Sequence, residues 1–201
     1  MIYSYRVEQA IRAAAVLHNG QVRKGVSPYP FITHLVAVAF LLSDYSNDED
    51  TVIAGLLHDT LEDTDYTPEE LETDFGENVR KIVEGVTDAQ LHERSALTWK
   101  QRQDRYFKAL TLAPLPSLMI SAADKIHNMR SIVEEYHGKP DLFVKHFTGS
   151  VDDLIDKYDK LKMLLHERLS NDIVKEYDHV HVLFKDFLES VQSHENTHQK
   201  K

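Results

Sequence analysis

Phe31-Ile32-Thr33-His34-Leu35-Val36-Ala37-Val38-Ala39-Phe40-Leu41-Leu42 is the stretch whose reading decides the fold, because it is apolar on nearly every side. Strands usually run to about five or six residues. A run of twelve is therefore read as a central buried helix. Upstream, Gln21 to Pro30 is a polar loop carrying Gly25, Pro28 and Pro30. Before it, Ser4 can cap a helix in which Val7, Ala10, Ile11, Ala14 and Leu17 recur at helical spacing, ending ahead of Asn19-Gly20. Downstream, Ser46-Asn47-Asp48-Glu49 offers a capping box leading into Val52, Ile53, Leu56 and Leu57. Thr67-Pro68-Glu69-Glu70 supplies a cap, a first-turn proline and an acidic third position, with Gly76 just past the short helix it starts. Further helices are expected around Val79 to Val86, from Thr98 to about Leu112, from Pro116, from Ser150, and over Ile173 to Val191.

With only 7 Gly and 6 Pro, the chain lacks the turn residues that an all-β protein needs. The expected architecture is all-α: a helical bundle of about eight to ten helices in one domain, residues 1–193, followed by a disordered tail, 194–201. The net charge of −10 repels a phosphate backbone and argues against a nucleic-acid-binding surface. A bound phosphate must then meet a local basic pocket. The absence of cysteine excludes disulfides, thiolate catalysis and cysteine metal sites. Leu35 to Leu42 is the longest apolar run, far short of the roughly 20 residues that span a bilayer, and the opening residues lack a signal-peptide core. A soluble, cytoplasmic protein is expected.

The chemistry concentrates in Leu57-His58-Asp59-Thr60-Leu61-Glu62-Asp63, where a hydrophobic helix acquires four groups able to bind metal or protons. On one continuous helix, His58 pairs with Glu62 and Asp59 with Asp63 at i,i+4, so all four face a limited sector. A cation there would offset the charge; a helix end fraying into solvated acids, capped by His58, is the plainer alternative. His34 stands among apolar neighbours and needs a partner. Asp124 follows the run Ile120-Ser121-Ala122-Ala123 in mid-helix, with Lys125 or an arginine as its plain partner. Together, two imidazoles and two carboxylates from three helices make a mixed nitrogen and oxygen site that leaves room for water.

The order His…His-Asp…Asp resembles the HD-domain metal-dependent phosphohydrolases. The resemblance sharpens with Arg23-Lys24-Gly25, Pro30-Phe31-Ile32-Thr33-His34, Leu57 to Thr64, Phe75-Gly76 and Ala123-Asp124-Lys125-Ile126-His127-Asn128-Met129-Arg130. That ensemble is similar to the hydrolase domain of Rel/SpoT alarmone enzymes, and particularly to free-standing small alarmone hydrolases, over about residues 5–170. Phe31 stands where the family commonly has tyrosine or similar, a change not expected to touch the metal. No synthetase segment follows in the sequence, so reversible synthesis and hydrolysis in one chain is not expected.

The resemblance implies that His34, His58, Asp59 and Asp124 bind one divalent ion, usually manganese (Mn2+) in this family. It places Glu62 and Asp63 beside the attacking water, with the phosphate on the ribose 3′ oxygen of a (p)ppGpp-like nucleotide as target. Pyrophosphate and a 5′-phosphorylated nucleoside are the implied products. Arg23 and Lys24 become substrate contacts, Arg23 by stacking or forking and Lys24 as a point charge; alone they would read as a solvated pair. Asn128, one turn after Asp124, can face the same cavity or bond helix carbonyls. Lys100, Arg102 and Arg105 are second-tier phosphate contacts or an ordinary charged face. His194 and His198 have the spacing of a surface metal site in a polar tail; His18, His92, His127, His137, His146, His166, His179 and His181 receive no role. Two other functions compete: a 5′-nucleotidase or other phosphomonoesterase on the same scaffold, and a non-catalytic alarmone-binding module.

Overall fold

The structure is a computed structural model that describes residues 4–88, 97–147 and 149–198. His92 lies outside the described residues. In chain order the helices are α1 (Tyr5–Leu17), α2 (Ile32–Tyr45), α3 (Glu49–Leu57), α4 (Thr60–Asp63), α5 (Pro68–Phe75), α6 (Glu77–Glu84), α7 (Trp99–Leu112), α8 (Leu115–Tyr136), α9 (Pro140–His146), α10 (Val151–Arg168) and α11 (Ile173–His198). Among the described residues the sole β element is an isolated antiparallel bridge, Val22 to Pro30, which closes the loop before α2. The fold is all-α, as the glycine-poor composition and the run from Phe31 anticipate. No described helix is long and apolar enough to cross a membrane.

Caps written in the sequence start the helices where expected. Ser4, Thr67, Thr98 and Ser150 each accept a backbone N–H of the first turn, and at Thr67 and Thr98 the reciprocal bond from Glu70 and Gln101 completes a capping box. One cap differs from expectation. Asp48, not Ser46, caps α3, accepting from Thr51 N at 3.1 Å, while Ser46 Oγ accepts from Asp48 N. The final helix runs past the expected boundary at His194, whose Nε2 meets Asp141 Oδ1 at 2.8 Å; this contact ties the segment to α9.

The core forms around α2, α3 and α8. Leu35, Val38, Ala39 and Leu42 of α2 are fully buried, with Ile53, Ala54, Leu56 and Leu57 of α3 and Leu118, Ile120, Ala122, Ala123 and Ile126 of α8. Gly55 lets α2 and α3 approach: a Cβ there would overlap Leu42 Cδ1. The long α8 packs on α2, α3, α6, α10 and α11, so every residue on its inner face is held from several sides. Burial at about 25 cal/mol per Å² of apolar surface makes this three-helix core the rigid frame from which polar residues can project.

The helix of Ala54 to Asp63 does not continue through His58 and Asp59. It breaks there into α3 and α4, with Asp59 at φ −95° and ψ −2°. His58 Nδ1 donates to Gly55 O at 2.8 Å and Thr60 Oγ1 donates to Leu57 O at 2.6 Å. These side chains take up helix carbonyls, and that competition favours a turn. The expected continuous helix through His58 and Asp59 is thereby corrected, although the i,i+4 relation survives the turn, with Asp63 N donating to Asp59 O at 2.9 Å.

Candidate metal centre and its two cavities

His34 from α2, His58 and Asp59 from the α3–α4 turn, and Asp124 from α8 converge at one buried corner. One ligand atom from each of His34, His58 and Asp59 lies within 4.8 Å of the others. Asp124 Oδ1 is 3.2 Å from His34 Nε2 and 3.9 Å from His58 Nε2; Asp59 Oδ2 is 3.7 Å and 3.2 Å from the same two atoms. These separations are short, yet both Nε2 atoms are buried without a hydrogen-bond partner. A buried polar atom left unsatisfied costs about 1–3 kcal/mol. Two such atoms beside two carboxylates fit ligands arranged around a shared centre.

Proton positions suit ligation. Because His58 Nδ1 donates to Gly55 O, the lone pair of its Nε2 faces the corner. His34 Nδ1 meets His127 Nδ1 at 2.9 Å, so one of them carries the proton; if His34 donates, its Nε2 too presents a lone pair. Burial pushes the His34 imidazole below its ordinary pKa against the pull of Asp124, which keeps it neutral near pH 7. His127 falls to about 4 through burial, then the neighbouring His34 and Arg23. Burial would raise Asp124, but the adjacent Lys125 ammonium holds its carboxyl well below the usual range.

Asp124 is also fastened by its own helix. Lys125 Nζ pairs with its Oδ2, and Asn128 Nδ2 donates to Oδ1 at 2.5 Å. The plain partner of the sequence reading, Lys125, is thus present together with the metal-site geometry. Arg23 Nη2 donates to Asn128 Oδ1 at 2.5 Å and its guanidinium lies over the Phe31 ring at 5.5 Å. A continuous chain of contacts therefore runs from the Arg23 loop through Asn128 to Asp124.

Two cavities meet at this corner. The larger, about 630 Å³, is walled by Arg23, Lys24, His34, Asp59, Asp63, Asp124 and Asn128, with Glu135 and Tyr136 further out. The smaller, about 140 Å³, shares Asp59, Asp124 and Lys125 and adds His58, Glu62, Asp88 and Lys157. Glu62 and Asp63, adjacent in sequence, thus line different cavities. Glu62 Oε1 accepts from Asp88 N at 2.5 Å. Lys100 and Arg102 line neither cavity; Lys100 is exposed on the first turn of α7.

Several site residues escaped the sequence reading. His127 follows Asp124 by three and shares its helix face, a spacing that could have marked it. Glu135 accepts from Val26 N at 2.7 Å and from Tyr29 OH at 2.8 Å, pinning the loop that carries Arg23. A Cβ at Gly25 would fall on the Glu135 carboxylate, which explains the glycine after Arg23-Lys24. Gln21 Nε2 donates to Asp63 O at 2.8 Å and ties the same loop to α4.

The fold is an all-α scaffold that brings two histidines and two aspartates to one corner, where His34, His58 and Asp59 are close enough to hold a metal ion together. The chain belongs to the HD domain family, whose model matches residues 10–169. It is 39% identical over 127 residues to a GTP pyrophosphokinase of Streptomyces coelicolor, a match covering 63% of this chain and 15% of that protein. It is 38% identical over 130 residues to the bifunctional (p)ppGpp synthase/hydrolase SpoT of Escherichia coli, covering 63% of this chain and 18% of the relative. The chain thus spans less than a fifth of the length of these curated relatives. Among solved structures, a metazoan ortholog of SpoT described as hydrolysing ppGpp superposes with a TM-score of 0.73 at 24% identity, over 90% of this chain and 96% of that one. A protein from Listeria monocytogenes does so with a TM-score of 0.66 at 24% identity, over 78% and 99%. These two likenesses show a shared fold.

Proposed function

We propose that the chain is a metal-dependent phosphohydrolase that removes the 3′-pyrophosphate of (p)ppGpp-like nucleotides in the cytoplasm, with residues 1–193 as the functional domain. The observation that carries the reading is the pair of orphaned Nε2 atoms facing Asp59 and Asp124, set where one cavity of nucleotide size opens. The similarity to SpoT and to GTP pyrophosphokinases supports the choice of substrate.

His34, His58, Asp59 and Asp124 would hold the ion, and manganese is the proposed occupant. A divalent ion bound there lowers the pKa of water and neutralises charge developing on phosphoryl oxygens. The protein's own groups do the rest. Glu62, whose Oε1 accepts from Asp88 N, lines the small cavity at the metal corner and takes the proton of the attacking water. Asp63, in the wall of the nucleotide cavity, orients the reacting group from the other side. Arg23, held by Asn128 and braced on Phe31, meets the nucleotide by stacking or by forking around a phosphate, with Lys24 adding charge. Lys100 and Arg102, outside both cavities, are left out of the substrate site.

Incubating the purified protein and manganese with guanosine and adenosine 3′-pyrophosphates, and separating the products, tests the reading. Release of pyrophosphate and a 5′-phosphorylated nucleoside is expected. Release of orthophosphate would assign the scaffold to phosphomonoesters, and tight nucleotide binding without turnover would make it a sensor.

A further inference from the structure

His18 is the C-cap of α1, only 3% exposed, and lines neither cavity. Its Nδ1 lies 2.8 Å from Gln21 Oε1, and Gln21 Nε2 lies 2.8 Å from Asp63 O. A main-chain carbonyl can only accept, so Asp63 O turns the NH2 end of the Gln21 amide toward itself and leaves Oε1, another acceptor, for the imidazole. The proton of His18 is therefore on Nδ1. In the neutral ring Nε2 is then a lone pair, and it is buried without a hydrogen-bond partner among the described residues. Such an orphan lowers stability. A phenyl ring could stack on Phe31 as the imidazole does, at 5.0 Å between centroids, and would carry no orphan. What the imidazole adds is the Nδ1–H donor, and Gln21 receives it.

We propose that His18 is a positioning residue for Asp63: its Nδ1–H locks the Gln21 amide, which holds the end of α4 by Asp63 O and so sets the Asp63 carboxylate in the wall of the large cavity. The inference rests on the phosphohydrolase reading, in which Asp63 orients the reacting group. Helix α4 is a single turn of four residues, and the last carbonyls of a helix have no partner within it. Gln21 supplies one for Asp63 from a different part of the chain. The main chain of Gln21 is itself fixed, with N donating to His18 O and O accepting from Phe31 N, both at 3.0 Å. Only the side-chain amide can still turn, and His18 stops it. Without that donor the amide is free to swing into the large cavity, which Gln21 lines, and Asp63 O loses its tether. Displacing a positioned group by about 1 Å can cost about a hundredfold in rate.

Two measurements on the manganese-loaded full chain test the relay: steady-state kinetics with ppGpp, and amide hydrogen exchange of the α4 segment read by mass spectrometry. His18→Phe keeps the ring and removes the donor. It is expected to lower kcat about ten- to a hundredfold at wild-type manganese content and thermal midpoint, and to speed exchange at Asp63 and Thr64. His18→Asn, whose Nδ2 stands where Nδ1 stood, loses the ring but keeps the donor and should recover part of both. Gln21→Met breaks the same relay one link further on and should match His18→Phe, which keeps the test open if the phenylalanine variant does not fold. In an Asp63→Ala background, where no carboxylate is left to position, His18→Phe should lower kcat no further. An equal fall in that background overturns the proposal, because His18 would then act elsewhere, and so does unchanged kcat or unchanged α4 exchange in His18→Phe. Exchange needs no turnover, so it decides the tether even if wild-type protein cleaves no ppGpp, a result that would sink the parent reading alone.

Discussion

Glu62 and Asp63 are consecutive, yet they line different cavities, because neighbouring residues on the single turn of α4 point about 100° apart. Their roles should therefore separate. Glu62→Gln is expected to lower kcat by about a hundredfold to ten-thousandfold, the usual worth of general-base assistance, with manganese content unchanged by elemental analysis. Asp59→Ala is expected to lose both metal and turnover; full activity after metal stripping and reloading would refute the ligand assignment. His127, whose Nδ1 meets that of His34, should matter without touching substrate: His127→Ala is expected to weaken manganese affinity by about 10–100-fold, measured by competition with a chelating dye. The convergence of His34, His58, Asp59 and Asp124 was legible in sequence because polar groups stand there beside apolar runs. His127 was passed over although its spacing of three from Asp124 marks the shared helix face, because its partner His34 lies on another helix.

Elements position these residues, and the loop from Gln21 to Pro30 shows how. It is tied to α4 by Gln21, to itself by the Val22–Pro30 bridge, and to α8 by Glu135. Glu135→Ala releases the α8 tie, and Gly25→Ala forces a Cβ onto the carboxylate. Both are expected to raise KM several-fold, more than they lower kcat, in steady-state kinetics; Glu135→Gln, which still accepts hydrogen bonds, should recover part of the loss. A proportional fall in kcat with KM unchanged would show that the loop does not position substrate. Helix starts were readable because caps are local chemistry: Thr67, Thr98 and Ser150 announce themselves in four residues. The end of α3 was not, because His58 and Thr60 reach back to helix carbonyls, a choice that periodicity cannot see. The one-turn α4 and the short α9 also lack the repeated apolar spacing on which such reading depends.

At the scale of the whole molecule, an ion that binds only the folded chain adds stability in proportion to its excess over Kd, about 2.7 kcal/mol at a hundredfold excess. For a chain of this size that corresponds to roughly 5–10 °C in Tm, so chelation should lower the thermal midpoint and manganese should restore it. The metal-free protein should also weaken in acid. His127 sits at about 4, and His181, lowered chiefly by burial despite Asp159, is below its ordinary value, whereas unfolded histidine titrates near 6.5. Between about 4 and about 6.5 the unfolded chain binds more protons, so this contribution is complete above about 6.5 and is lost as pH falls through the window. Urea midpoints across that range should decline, and His181→Gln should flatten the slope. The claim on which all else depends is that water enters at the corner of His34, His58, Asp59 and Asp124 and attacks the phosphorus on the ribose 3′ oxygen. Running the manganese-loaded reaction with ppGpp in heavy-oxygen water and weighing the products tests it: one heavy oxygen in the released pyrophosphate and none in the nucleotide is expected, while heavy oxygen in orthophosphate or in the nucleotide, or no turnover, would contradict it.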